Sequence, residues 1–303
     1  MPVHDQKEAV ETIEAASAKV NLALHVIGQQ ADGYHLLEML VTFTEAGDVI
    51  RIQDAPDDRF SISGPFAELL EDGDAGNNLV LRARDLLRIS VDASGLPIAT
   101  PVSIHLEKNL PVASGIGGGS ADAAATLRGL SRHWGLSLPT KELDSLALKL
   151  GADVPMCLAS TPLIARGIGE KITPLANLPS FSMVLVNPLQ AVSTPQIFGL
   201  LETKNNAPLP QIEDDPDTHW LPLLGQMRND LQPPAATLLP VINEILQALS
   251  DQGAELVRMS GSGATCFGLF ATQEKAEEAS ARIRERKPDW YVEATTTKTK
   301  VFP

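Results

Sequence analysis

The alternation of apolar and polar residues is clearest near the start of the chain, where its two-residue period is typical of β-strands. Residues 1–12 are polar and acidic, and we expect them to form a loose tail. Alternation then begins and continues through Val26. Short turn-forming segments, such as the ADG of residues 31–33, separate the apolar runs. The pattern predicts a first β-layer of four strands, at residues 17–26, 39–46, 48–52 and 59–63.

Helical spacing of apolar residues follows, first at residues 77–89 and then at residues 140–150. The second of these helices should stop at Gly151, and Pro155 should block its continuation, so the LGADVP segment is predicted to be a helix exit. Further helices are predicted at residues 236–250 and 273–286, and further strands at residues 101–107, 162–167, 170–175, 181–188, 255–260, 265–270 and 290–297.

The order of the predicted elements favours an α+β protein with two domains. A proline- and acid-rich segment, residues 207–222, interrupts the second half, which then ends with helix, strand, strand, helix and strand. We place the boundary near residue 160, which gives domains of residues 1–160 and 161–303. No repeat of fixed period is visible, so a solenoid is excluded.

Composition narrows the function classes. The chain has 303 residues, of which 44% are hydrophobic and 20% charged, as expected of an ordinary globular protein, and its net charge of -14 argues against nucleic-acid binding. The start of the chain lacks a basic region followed by an apolar stretch, and no apolar run is long enough for a bilayer, so we expect a cytoplasmic protein without a membrane partner. Cys157 and Cys266 are far apart, which predicts two reduced core cysteines.

A glycine-crowded junction between a predicted strand and an alanine-rich helix is the strongest chemical signal. Residues 107–127 read EKNLPVASGIGGGSADAAATL, and we call residues 108–120 the glycine loop. Glycines let a polyanion approach the free N–H groups of a helix start, so the segment is predicted to bind phosphate. It matches neither G-x-x-x-x-G-K-[ST] nor G-x-G-x-x-G. Ser120 is the predicted N-cap. The alternative is a flexible connection that permits a tight turn.

Lys19 and Asp153 are candidates for acid–base chemistry, provided that the fold brings them together. Strand alternation places Lys19, Asn21 and His25 on one face. Taken alone, the lysine is better explained by a strand with a solvated side, and the aspartate by a structural role in its turn. If the two side chains meet, the carboxylate stays ionised and can accept a proton from an alcohol, while the ammonium favours the developing alkoxide.

Aromatic residues are rare in this chain, at 4%, which draws notice to the adjacent Tyr34 and His35 and to Phe198. Two aromatic faces could sandwich a planar base. The alternative for Phe198 is a place in the core.

Four segments together resemble the GHMP kinase superfamily: AKVNLALHVIGQQADGYH at residues 18–35, NLPVASGIGGGSADAA at 109–124, LGADVP at 150–155 and RMSGSGAT at 258–265. More narrowly, the chain is similar to members that phosphorylate the 2-hydroxyl of a cytidine-diphosphate-linked methylerythritol with ATP, in the non-mevalonate route to isoprenoid precursors. The resemblance implies an N-terminal α/β domain with a left-handed β-α-β unit, a C-terminal ferredoxin-like domain and an active site in the cleft between them.

The resemblance also implies roles for individual residues. Lys19 and Asp153 would be the catalytic pair, with Asp153 as base, and Ser120 would hold phosphate or its Mg²⁺. The implied ATP-binding residues are Asn78, Pro111, Ala113, Ser114, Gly115, Gly117, Gly118, Gly119, Ser120 and Asp122. The implied residues around the cytidyl substrate are Asn21, Tyr34, His35, Thr194, Phe198, Ser260, Gly261, Ser262 and Gly263.

Two other readings stay open at this point. The protein could be a GHMP kinase for homoserine, mevalonate or a sugar, or it could be a nucleotide-binding protein without activity. The expected partners are small molecules, and the expected assembly is a monomer or a homodimer. The chain departs from the usual pattern at Ile116, at Asp122 and in the NDLQ of residues 229–232, positions that do not touch the expected chemistry.

Overall fold

A computed structural model of the chain describes residues 11–71, 78–94, 99–112 and 114–299. Most of the predicted tail and Ala113 of the glycine loop therefore lie outside the described residues. The tail was predicted to extend to residue 12, but the first strand already begins at Thr12.

The first sheet, within the described part of the chain, has six strands in the order β3-β4-β2-β5-β6, with β1 paired to β2. Their bounds are β1 Thr12–Gln29, β2 His35–Asp54, β3 Arg59–Ser63, β4 Val102–Glu107, β5 Leu163–Gly167 and β6 Lys171–Pro174. The predicted break between residues 46 and 48 was wrong, because β2 continues through Gly47. Between the pairs Lys19–Phe43 and Ser17–Gly47, β2 contains two more residues than β1, so a bulge in β2 itself accommodates the irregularity.

Five helices in the described segments accompany this sheet: α1 Glu68–Glu71, α2 Leu79–Ser94, α3 Gly118–His133, α4 Thr140–Leu150 and α5 Val154–Ala159. Strands β3 and β4 pair in parallel and are connected through α1 and α2, which forms the expected β-α-β unit; its left-handed sense stays a prediction. Helix α3 packs on β1 and β2. A run of fully buried alanines lets it approach the sheet closely: Ala121, Ala123, Ala124 and Ala125.

The second sheet, again among the described residues, has the order β10-β7-β9-β8, and its pairs are all antiparallel. The remaining elements are β7 Ser182–Asn187, α6 Thr194–Gly199, α7 Trp220–Gly225, α8 Gln232–Leu238, α9 Val241–Asp251, β8 Leu256–Met259, β9 Cys266–Phe270, α10 Gln273–Arg286 and β10 Tyr291–Thr296. Around these four strands the chain follows the β-α-β-β-α-β order of a ferredoxin-like fold, as the resemblance predicted.

Two expectations about the second half need correction. The helix predicted at residues 236–250 is two helices, because Leu239 leaves helical geometry at φ -133 and Pro240 cannot donate a backbone hydrogen bond. Strands β5 and β6 lie beyond residue 160 yet pair into the first sheet, so that sheet extends to Pro174 rather than ending at the predicted boundary.

Strand β1 lies between two hydrophobic clusters, and every residue from 16 to 26 is buried. Ala16, Leu24 and Val26 belong to the cluster around α3. Ala18, Val20 and Leu22 pack in a second cluster that includes side chains of β7 and β9. The strand that carries Lys19 is therefore held on both faces, rather than solvated on one.

Both cysteines are buried and free, as predicted, and burial raises the pKa of the Cys157 thiol to about 12. Among the helices of the described segments, none combines the length and the apolar character that crossing a bilayer requires.

Candidate active site

Strand β1 places the Lys19 ammonium directly beneath the glycine loop. Its Nζ donates to Asp153 Oδ2 at 2.8 Å, which joins two residues 134 positions apart. The Lys19 backbone N–H donates to Ile116 O at 2.9 Å, so strand and loop are also connected through the main chain. A Cβ atom placed on Gly117 would lie 3.3 Å from Lys19 Cβ. The loop thus rests on the lysine stem, and the ammonium lies at its edge.

The predicted helix exit is present, and Asp153 lies just beyond it, at the start of a further short helix that was not predicted. Helix α4 ends at Leu150 and α5 begins at Val154, with Pro155 in its first turn, where a missing backbone N–H costs nothing. Asp153 sits at the N-cap position, but its side chain makes no capping hydrogen bond. It turns towards Lys19 instead and is 41% exposed, whereas the lysine side chain is 6% exposed. The carboxylate is paired and still open to a ligand.

The glycine loop forms one wall of a cavity of about 350 Å³, which we call the loop cavity. The helix start at Gly118 presents free backbone N–H groups there. Opposite lies the turn of residues 260–263, packed so tightly that a Cβ atom on Gly115 would lie 2.5 Å from Gly263 O. Gly115 also has φ 78, so only glycine fits this position. The lining residues are Lys19, Leu79, Ser114, Gly115, Gly117, Gly118, Gly119, Ser120, Asp153, Val192, Thr194, Gly261, Ser262 and Gly263.

A second cavity, of about 810 Å³, adjoins the first, and we call it the aromatic cavity. It shares Ser120, Asp153 and Thr194 with the loop cavity. Its lining residues are Asp32, Gly33, Tyr34, His35, Leu37, Ser120, Ala152, Asp153, Ile168, Thr194, Pro195 and Phe198. The Lys19–Asp153 pair therefore lies where the loop cavity meets a larger cavity with aromatic walls.

Two of the three predicted aromatic residues contact each other directly. His35 and Phe198 stack on each other, with ring centroids 4.7 Å apart and an interplanar angle of 25°. This contact leaves no room for a base between these two rings, whereas Tyr34 is 62% exposed, and a sandwich that uses Tyr34 stays a prediction. His35 Nε2 is buried and has no hydrogen-bond partner among the described residues. Burial lowers the pKa of His35, and Lys204 lowers it further.

Several residues of the predicted site lie behind the cavities rather than on their surface. Asn78 caps α2 through a hydrogen bond from Val80 N, and Pro111 O accepts from Ser114 Oγ. Ser260 is fully buried and connects Asn21 N to Gly115 O through its hydroxyl group. The Asn21 side chain is fully buried, and neither its Oδ1 nor its Nδ2 has a partner in the described part of the chain.

Two details of the loop differ from the prediction. The N-cap of α3 is Gly117, in a left-handed conformation at φ 66, and not Ser120, which lies inside the helix and lines both cavities. Asp122 is 3% exposed and faces away from the loop cavity, where its Oδ2 accepts from Lys108 Nζ at 2.7 Å. The structure thus gives Asp122 a protein partner instead of a place beside a nucleotide.

Lys108 and Asp48 complete a buried charge cluster that the sequence reasoning missed. Lys108 Nζ donates to Asp48 Oδ2 at 2.5 Å as well as to Asp122. A Cβ atom on Gly118 would lie 3.2 Å from the ammonium, which therefore lies directly behind the helix start. Burial, partly opposed by Lys108, raises the pKa of Asp122 to about 8. A lysine immediately before a glycine loop was a visible signal, but its two partners depend on the tertiary fold.

His25 does not share the cleft with Lys19, although both were predicted on one strand face. A register shift between Asn21 and Ala23 interrupts the alternation. His25 Nδ1 instead contacts Ala207 O at 3.1 Å, and its Nε2 accepts from Arg228 N at 3.1 Å.

Comparison with known proteins identifies the family. The GHMP kinases N terminal domain family matches residues 78–161, and the GHMP kinases C terminal family matches residues 219–289. The 4-diphosphocytidyl-2-C-methyl-D-erythritol kinase of Agrobacterium fabrum is 64% identical over 299 residues, which cover 98% of this chain and 100% of that one. The chain belongs to the GHMP kinase family. The protein of the same name from Rhizobium meliloti is 61% identical to this GHMP kinase, covering 93% of this chain and 94% of that one.

Solved structures of GHMP kinases agree with this fold. A crystal structure of 4-(cytidine 5'-diphospho)-2C-methyl-D-erythritol kinase is 31% identical, with a TM-score of 0.78, covering 95% of this chain and 100% of that one. Homoserine kinase from Cytophaga hutchinsonii has a TM-score of 0.68 at 18% identity, covering 99% of this chain and 97% of that one, a likeness of fold alone. Membership of the GHMP kinase family implies that the protein uses ATP.

Proposed function

We propose that this protein transfers the terminal phosphoryl group of ATP to the 2-hydroxyl of 4-diphosphocytidyl-2-C-methyl-D-erythritol, giving the 2-phosphate and ADP. The step belongs to the non-mevalonate pathway of isoprenoid precursor synthesis. The observation that carries the proposal is the Lys19–Asp153 pair at the junction of the two cavities. High identity to kinases named for this substrate supports the choice of acceptor.

The loop cavity would bind the phosphates of ATP, and the aromatic cavity would bind the acceptor. ATP phosphates would lie in the loop cavity, where the backbone N–H groups at the start of α3 and the positive end of the helix dipole favour anions. The sugar-alcohol end of the acceptor would reach Asp153 from the aromatic cavity. Phosphoryl transfer depends mainly on positioning and charge neutralisation, which this arrangement can supply.

Asp153 would act as the base and Lys19 as its charge partner. The Asp153 carboxylate is exposed enough to accept a hydrogen bond from the acceptor hydroxyl and then its proton. The Lys19 ammonium is almost fully buried, which strengthens its interaction with the developing alkoxide and with the phosphoryl group in transit. Thr194 and Ser120 would orient the hydroxyl and the phosphate from either side of the pair.

Mg²⁺ would accompany the nucleotide and would neutralise part of the phosphate charge. No group of three or more His, Cys, Asp or Glu side chains that could hold a metal occurs among the described residues. Ser120 offers a hydroxyl group in the loop cavity, and among the described lining residues Asp153 is the one carboxylate. This sparse donor set fits Mg²⁺, which is commonly held by one or two protein oxygens together with substrate phosphates and water.

Recognition of the cytidyl group would fall to the aromatic residues. Tyr34 offers an exposed ring, and the stacked pair of His35 and Phe198 offers an outer face. His35 Nε2, which has no partner among the described residues, would bond a base edge. We expect the protein to act in the cytoplasm, where ATP is available, as a monomer or a homodimer.

Release of ADP with different acceptors tests the substrate. We expect rapid ADP formation with 4-diphosphocytidyl-2-C-methyl-D-erythritol and little with mevalonate or homoserine. Faster turnover with either of the small alcohols would reject the cytidyl substrate, and absence of turnover with every acceptor would favour a nucleotide-binding protein without activity.

The Asp153→Asn variant tests the mechanism. It keeps the shape of the side chain and removes the proton acceptor, so kcat should fall by about 10²-fold or more while ATP still binds. Asp144→Asn is the matched control, because it removes an equivalent charge from an exposed site on α4. Near-normal turnover of Asp153→Asn would remove this residue from the role of base.

A further inference from the structure

Asn229 makes hydrogen bonds with every polar group of its side chain, although it touches neither cavity. Its Nδ2 donates to Met259 O at 2.7 Å and to Gly261 O at 2.8 Å, and its Oδ1 accepts from Leu231 N at 2.9 Å. The residue is 5% exposed. Its side chain therefore holds the end of β8 and the start of the Ser260–Gly263 turn from behind.

The backbone around Asn229 is attached to the strand that carries Lys19. Asn229 forms a parallel bridge with Leu24 of β1. On either side of it, Leu24 N donates to Arg228 O at 2.9 Å and Asp230 N donates to Leu24 O at 2.9 Å. Asn229 thus links β1 to the turn, because its main chain pairs with β1 and its side chain bonds the turn.

The turn that Asn229 holds forms the wall of the loop cavity facing the glycine loop. Gly261, with φ 56, comes so close to that loop that a Cβ atom on it would lie 2.8 Å from Gly115 O. Ser262 Oγ lies 2.7 Å from Thr194 Oγ1, and Thr194 lines both cavities. A displacement of the turn would therefore move Thr194 relative to the Lys19–Asp153 pair.

We propose that Asn229 is a positioning residue for phosphoryl transfer, which keeps the Ser260–Gly263 turn in register with the Lys19 strand and so fixes the gap between Thr194 and the glycine loop. This inference rests on the proposed function, because it assigns the transfer step to the same cleft. The glycine loop has its own attachments, from Lys19 N to Ile116 O and from Thr265 N to Ser114 O. Losing Asn229 therefore disturbs alignment more than it disturbs nucleotide binding.

Asn229→Asp and Asn229→Ser separate the positioning role from a merely structural one. Both remove the two donors, the first by turning an oxygen towards two carbonyl groups and the second by shortening the side chain without adding charge. We expect kcat to fall at least tenfold, while KM for ATP and for the acceptor stays within about threefold of the unmodified protein.

Asn206→Ser is the matched control, because Asn206 Nδ2 also donates to two backbone carbonyls, Val26 O and Thr203 O, both at 3.2 Å, and the residue lines neither cavity. It should lower the unfolding midpoint and leave kcat within about twofold.

Three outcomes would overturn the inference: unchanged kcat in the folded Asn229 variants, a rise in KM for both substrates with kcat intact, or an equal fall in kcat in Asn206→Ser. If Asn229→Asp does not fold, Asn229→Ser gives the same comparison. Turnover is measured with whichever alcohol the unmodified protein phosphorylates fastest. If the proposed acceptor is wrong, another alcohol is used, and the comparison of kcat between the variants and the unmodified protein still holds.

Discussion

Replacement of Lys108 by methionine is expected to lower the free energy of unfolding by about 3–5 kcal/mol, the usual result of removing one partner from a buried ion pair. Methionine has a similar length and no charge, so the packing is nearly preserved. The side chains of Lys108, Asp48 and Asp122 are only 2%, 0% and 4% exposed, which means that water cannot replace the lost ammonium.

The Lys108→Met substitution would remove a larger share of the hydrogen bonds of Asp122 than of those of Asp48. Asp48 Oδ1 accepts from Asn109 N at 2.6 Å and from Leu110 N at 2.8 Å, so Asp48 keeps two donors without the lysine. Asp122 Oδ2 loses Lys108, and its Oδ1 has no partner among the residues that the structure describes. Most of the loss should therefore come from Asp122, a buried carboxyl group that loses its only basic partner among the described residues.

A double variant tests this division. Lys108→Met/Asp122→Ala removes the ammonium and the stranded carboxyl group together, and alanine suits helix α3, which already contains alanine on both sides of this position. We expect the double variant to recover about 1–3 kcal/mol relative to Lys108→Met alone. Both values come from the midpoints and slopes of urea unfolding followed by far-ultraviolet circular dichroism.

The control is Lys149→Met, on the exposed surface of α4, which should change the free energy of unfolding by less than about 0.5 kcal/mol. A loss below about 1 kcal/mol in Lys108→Met would contradict the buried-pair reasoning. A double variant no more stable than the single one would show that Asp122 is not where the loss arises.

Three further outcomes are expected. Lys19→Met should lower kcat strongly, and an effect confined to the apparent affinity for the cytidyl substrate would argue against its role in transfer. Tyr34→Ala should weaken the cytidyl substrate by about 1–3 kcal/mol, read as a higher KM, with KM for ATP unchanged; an equal change for both substrates would exclude base stacking. Burial, aided by Arg228, lowers the pKa of His25 below its ordinary value of 6.5, so this group contributes stability that is complete above pH 6.5 and declines as the pH falls below it. His25→Gln should flatten the pH dependence of the urea midpoint between pH 5 and 7.5, and unchanged curvature would contradict this sign.

The sequence predicted best the helices whose ends depend on nearby residues, such as a terminating glycine or a capping threonine. The helices predicted at residues 140–150 and 273–286 have the same bounds in the structure, because Gly151 ends the first and Thr272 caps the second through its hydroxyl group. The break expected at Gly47 did not occur, since β2 forms a bulge between Phe43 and Gly47 and stays paired with β1. Such a bulge depends on pairing, which one strand's sequence does not reveal.

The candidate site was predictable in its residue types and not in its geometry. Lys19 and Asp153 could be named from motifs, but their 2.8 Å contact depends on the tertiary fold, which brings β1 beside the start of α5. The polar residues of β1 were expected to face solvent or a ligand, yet the second cluster covers that strand and buries them. Asn229 carries no local signal of its connection to the Ser260–Gly263 turn, because both of its donors bond residues 30 or more positions away.

Ser120, Asp153 and Thr194 line both cavities, and this shared lining has a kinetic consequence. ATP and the acceptor alcohol would lie next to each other, with no part of the protein between them. The phosphoryl group can therefore pass directly from one to the other, without a covalent phosphoenzyme intermediate. Neither reactant alone completes the arrangement. Double-reciprocal plots for the two reactants should therefore intersect, in the pattern of a sequential mechanism and not of a ping-pong exchange.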